Sequence, residues 1–79
     1  MSFGYEGAGS VVLIVPGIGL FNWNRPEQKV YFLPLGKKTP IWFASLPKRF
    51  NDKAGAIARC GVYLETPTFQ AYAREKLRR

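Results

Sequence analysis

Lys29 to Phe43 reads KVYFLPLGKKTPIWF, and this stretch decides the fold. Val30 to Leu35 is rich in β-branched and aromatic residues, Gly36-Lys37-Lys38-Thr39 is a short polar interruption, and Ile41, Trp42 and Phe43 resume the apolar character. Two such runs around a turn are the signature of a β-hairpin. Side chains alternate across a pleated strand, so Val30 and Phe32 point one way and Tyr31, Leu33 and Leu35 the other. Both faces of the hairpin are therefore apolar. Part of the chain must cover one face, and either more of the chain or a partner covers the other.

Upstream, Val11 to Val15 is a continuous apolar run bounded by Ser10 and Pro16-Gly17, the pattern of a buried strand beside the hairpin. Gly17-Ile18-Gly19 forms a turn, and Leu20 to Trp23 gives a second short strand before Asn24-Arg25-Pro26-Glu27 turns the chain again. Met1 to Ser10 is Gly-rich and without period, so residues 1–10 are expected to form a flexible arm on a single small basic domain spanning 11–79.

Downstream, Ala44-Ser45-Leu46-Pro47 ends the sheet, because proline cannot donate to a strand ladder. Asn51-Asp52 supplies a helix N-cap, and Ile57, Cys60, Gly61 and Leu64 recur on one helix face. Residues 52–65 read either as one helix or as a helix stopped at Gly61 and followed by an extended Val62-Tyr63-Leu64. A last helix is marked by Thr66 as cap, Pro67 at its first position, and Phe69, Tyr72, Ala73 and Leu77 at helical spacing. The fold class is α+β: a small twisted antiparallel sheet of three or four strands packed by one or two C-terminal helices.

At 79 residues the chain holds one core. A domain this small buries only about 60% of its unfolded surface, so external support is valuable. Disulfides cannot supply it, since Cys60 is alone, and one Cys with no His excludes the common zinc frameworks. A homo-oligomer, or a subunit of a larger complex, is the expected state. The absence of a disulfide framework fits the cytoplasm. The most apolar stretch, Val11 to Trp23, is broken by Pro16, Gly17 and Gly19 and falls short of the roughly 20 residues of a spanning helix, so no integral membrane association is expected.

Catalysis lacks its usual parts. No histidine is present, Cys60 has no imidazole to activate it, and the five acidic residues are scattered. Cys60 reads as a small buried apolar residue. Pro16-Gly17-Ile18-Gly19 lacks the third glycine of a dinucleotide loop, and Gly36-Lys37-Lys38-Thr39 has Tyr31 where a phosphate-binding loop needs glycine. Both read as turns. No enzymatic activity, cofactor or metal is expected.

The net charge of +7 is the most informative global quantity, because it attracts nucleic acid, acidic protein surfaces or anionic lipid. From Lys48 onward eight basic residues (Lys48, Arg49, Lys53, Arg59, Arg74, Lys76, Arg78, Arg79) face Asp52, Glu65 and Glu75. Trp23 with Arg25, Trp42 with Lys37 and Lys38, and Phe50 with Lys48 and Arg49 set rings beside cations, as in proteins that grip flexible nucleic acid. The expected function is non-enzymatic binding of nucleic acid, with phosphates at Lys37, Lys38, Lys48, Arg49, Lys53, Arg74, Lys76, Arg78 and Arg79, and stacking or partner contact at Trp23 and Trp42. The alternative is an adaptor or inhibitor, such as phages and mobile elements carry, that docks on an acidic face of a larger protein. A helix-turn-helix reader is disfavoured, because the last helix offers Gln70 for base contact and crowds its cations at the far end.

Overall fold

The computed structural model describes residues 9–78. Four strands, β1 (Gly9–Val15), β2 (Gly19–Asn24), β3 (Lys29–Pro34) and β4 (Trp42–Ser45), form an antiparallel sheet in the order β1-β2-β3-β4. A 3-10 turn over Lys48–Phe50 leads into α1 (Lys53–Leu64) and α2 (Pro67–Leu77). The α+β architecture expected from the sequence is the one observed. The proposed arm lies, over residues 1–8, outside the described residues, as does Arg79.

Turn chemistry sets the order of the strands. Pro16 presets the backbone and Gly17 takes φ 77°, closed by an Ile18 N–H to Val15 O bond of 3.0 Å, the pattern of a type II turn. Between β2 and β3, Asn24 Oδ1 accepts from the Glu27 N–H at 3.1 Å and Gln28 takes the left-handed φ of 57°. The β3–β4 connection is longer than the expected four-residue turn. It spans residues 35–41, because Pro40 brings no N–H and Ile41 donates to Phe32 O (3.0 Å) before strand geometry resumes at Trp42.

Register assigns the faces. Leu13, Phe21, Phe32 and Trp42 lie opposite one another on one side, joined there by Val30 and Ala44. Val11, Asn22, Tyr31 and Phe43 align on the other, as do Ile14, Leu20 and Leu33. A bulge after Val11 shifts the β1 register and turns Val12 to the core side. The two helices cover the Phe32 face. Phe21, Val30, Phe32, Ala56, Cys60 and Phe69 are buried in that core. The second face carries exposed Ile14 and Phe43, while Leu33 and Asn22 on it are buried.

The helices begin where the sequence places them. Asp52 accepts from the Gly55 N–H at 2.7 Å, and Thr66 Oγ1 accepts from the Phe69 N–H at 3.2 Å with Pro67 at the first position. Asp52→Ala is expected to lower stability by about 1 kcal/mol, read as a smaller midpoint in urea. An unchanged midpoint would mean the cap contributes nothing.

Of the two readings of residues 52–65, the single helix is the one observed: α1 runs through Gly61 to Leu64, without an extended Val62-Tyr63-Leu64 segment. The face assigned to it requires correction. Its buried face is Ala56, Cys60 and Tyr63 rather than one centred on Ile57, Cys60, Gly61 and Leu64, and Ile57 is 41% exposed. The reason is steric. The sheet already presents Phe21, Phe32 and Trp42, so the helix lays its smallest side chains on them and fits Tyr63 flat against Trp42, with ring centroids 4.3 Å apart at 14°.

Candidate nucleic-acid interface

The antiparallel meander sorts the cations into two groups. The β1–β2 turn and the β3–β4 loop leave the same end of the sheet; the β2–β3 turn and the exit of β4 leave the opposite end. At the first end stand Lys37 and Lys38, in the loop, together with the last turns of α2, whose Leu77 lies against Gly17. Those turns carry Arg74, Lys76 and Arg78. At the second end are Lys48 and Arg49 in the 3-10 turn and Lys53 at the start of α1. Arg25 joins them through Asn51, which accepts from Trp23 Nε1 at 2.9 Å and donates to Arg25 O at 3.0 Å. Strands of about six residues at roughly 3.3 Å each separate the ends by about 20 Å.

These cations are exposed and poorly matched by acids. The one ion pair among the described residues joins Arg78 to Glu75 at 3.6 Å, exposed on both sides and worth at most about 1 kcal/mol. The other carboxylates near the two ends have local work: Asp52 caps α1, and Glu27 Oε1 accepts the Tyr31 hydroxyl. Each end is thus a cationic patch with little internal neutralisation.

The tryptophans offered for stacking or partner contact are both partly buried against the core. Trp23 is half-buried on the helix-covered face, its N–H held by Asn51 and Arg25 5.6 Å over its ring. Trp42, partly buried, stacks on Tyr63 against the core and meets Phe21 edge-on at 6.0 Å. Among the described residues, the exposed rings are Phe50, 49% exposed under Arg49 at 4.9 Å, and Phe43, 56% exposed under Lys29 at 5.0 Å. Arg25 and Phe50 are the members that sequence reasoning left out of the candidate site. The signal for Phe50 was present, in its position directly after Lys48-Arg49. Arg25 is brought in by Asn51, a contact 26 residues away along the chain.

Gln70, the one base-reading candidate of α2, donates instead to Leu64 O at 2.6 Å and ties the two helices together. Cys60 is fully buried, and burial pushes its thiol up to about 12. It is therefore held as an unreactive thiol. Among the described residues no group of three His, Cys, Asp or Glu side chains gathers as metal ligands, and no helix is long and apolar enough to cross a membrane.

No family model, curated protein or solved structure matches this chain.

Proposed function

We propose that the protein binds nucleic acid through its phosphate backbone, without catalysis, in the cytoplasm. The observation that carries this reading is the pair of cationic patches about 20 Å apart, exposed and almost free of internal ion pairs. One patch offers Lys37, Lys38, Arg74, Lys76 and Arg78, the other Arg25, Lys48, Arg49 and Lys53, with Phe50 as the ring available for stacking beside it. Phosphates recur along a strand, so one backbone can meet both ends. Because Gln70 is occupied and the tryptophans face inward, the contacts position the ligand rather than read its bases.

Titration of a mixed-sequence duplex at several salt concentrations tests this. With about five phosphates neutralised, log K falls against log salt with a slope near −4.5, from roughly −0.9 per contact. Changing Lys48 and Arg49 together to alanine reduces that slope by about 1.8 and weakens every sequence alike. No binding at low salt, or a slope near zero, overturns the proposal, and strong sequence discrimination contradicts its backbone-contact form.

A further inference from the structure

α1 is apolar on both sides. Its sequence KAGAIARCGVYL carries only Lys53 and Arg59 as charges, yet beyond the buried row of Ala56, Cys60 and Tyr63 its outer surface shows Ala54, Ala58, Ile57 and, 60% exposed, Val62. A helix that is hydrophobic all round is normally covered all round. Beside this surface runs a groove of about 240 Å³ lined by Leu46, Phe50, Gly55, Ala58, Arg59 and Val62. Gly55 lets the 3-10 turn and α1 meet beside it, since the Phe50 backbone packs so closely there that no Cβ fits between them. Arg59 lines the groove, and Lys48, Arg49 and Lys53 stand on the segments that form it.

The rim selects the occupant. A second copy packed symmetrically through Ala58 would bring Arg59 toward its own mate and set +7 against +7, the like-charge juxtaposition that opposes association. A nucleic acid would use the rim and Phe50 but leave Leu46, Ala58 and Val62 idle, because Arg59 is the one polar side chain lining the groove and a base edge would find no acceptor there. An acidic amphipathic helix satisfies both parts: an apolar stripe at i, i+4 and i+7 lies on the floor and flanking carboxylates meet the cations. The 12-residue α1 is about 18 Å long, enough for three turns of such a ligand.

We infer that the groove formed by Leu46, Phe50, Ala58 and Val62 binds an acidic amphipathic helical segment of another protein, whose carboxylates pair with Lys48, Arg49, Lys53 and Arg59. This site is distinct from the patch at Lys37 and Lys38 and shares the other patch and Phe50 with the phosphate grip.

A displayed library of 16-residue helical peptides, randomised on both faces and panned against the full chain, reads the ligand chemistry directly. Recovered peptides are expected to be enriched in Asp and Glu around apolar residues at i, i+4 and i+7. Ala58→Glu, and independently Val62→Glu on the next turn, should weaken them about tenfold or more while costing duplex binding no more than the single charge each adds to the shared patch. The double change Lys53→Glu with Arg59→Glu should shift recovery toward Lys- and Arg-rich peptides. Failure to recover peptides, recovery without acidic enrichment, or unchanged peptide affinity in folded Ala58→Glu and Val62→Glu variants overturns the inference. So does a concentration-dependent doubling of mass in light scattering that Ala58→Glu abolishes, which would assign the groove to a second copy. An equal loss of duplex and peptide affinity in Ala58→Glu would assign it to nucleic acid. Absence of duplex binding in the unaltered chain counts against the phosphate reading alone.

Discussion

Phe32→Ala is expected to remove about 3–5 kcal/mol of stability, the largest effect of any single truncation in this chain. Phe32 is fully buried at the junction of β2, β3 and both helices, with ring centroids 4.8 Å from Phe21, 5.8 Å from Tyr63, 5.6 Å from Phe69 and 6.2 Å from Tyr72. Deleting its ring leaves a cavity whose walls are other rigid rings, which collapse into it poorly. A domain of this size has about 4–12 kcal/mol in total, at roughly 0.05–0.15 per residue. The variant should therefore lose most of its resistance to denaturant, seen as a collapse of the urea midpoint and of the near-ultraviolet aromatic signal. Phe43→Ala, on the other face of the sheet, is the matched control and should stay within about 1 kcal/mol of the parent. If the two variants unfold at the same midpoint, the assignment of faces is wrong.

Gly19→Ala is expected to destabilise by about 2 kcal/mol, although alanine is ordinarily the better residue. Fixing a glycine to alanine gains only about 0.4–1 kcal/mol from a less disordered unfolded chain. Against that, a Cβ at position 19 meets the Leu33 carbonyl oxygen, lies 2.8 Å from Phe32 Cζ and sits 3.0 Å from Pro34 Cα. Two of these neighbours are backbone of the adjacent strand, which cannot step aside without breaking the β2–β3 ladder, and the third is the anchor of the core. Overpacking of that kind costs about 1–3 kcal/mol or more, so the loss outweighs the gain. Gly36→Ala offers the contrast, since nothing lies within 4 Å there and only its φ of 78° opposes the change. A denaturant midpoint for Gly19→Ala at or above that of the parent would show that β2 and β3 are not this close.

Much of the architecture was legible in the chain because local chemistry and global fold agree. Pro16-Gly17, Asn24, Asp52 and Thr66-Pro67 each punctuate an element where the structure has a boundary. What escaped was whatever depends on two elements meeting. The fate of Trp42 rests on its pairing with Phe32, and that register is set by the seven-residue connection 35–41, whose length no residue pattern announces. The rotation of α1 rests on Ala56 and Cys60 being small enough to let a backbone approach an aromatic sheet, whereas apolar periodicity weighs the bulkier Ile57 more heavily. The cations were visible as a tally, but their division between two ends of the sheet follows from the meander alone. Arg25 and Lys48 lie more than twenty positions apart and become neighbours only because Leu46 donates to Gln28 O at 2.7 Å and Asn51 reaches back to the same turn.

The border strands have a further consequence. Residues 11–15, Val-Val-Leu-Ile-Val, are uncharged and strongly β-forming, the kind of segment that recruits like chains into fibrils. The kink after Val11 interrupts their ladder, so an incoming strand finds only a short straight run to copy, and the four-residue β4 offers little more at the opposite margin. The sheet thus keeps its oily outermost strand while denying a growing filament a template.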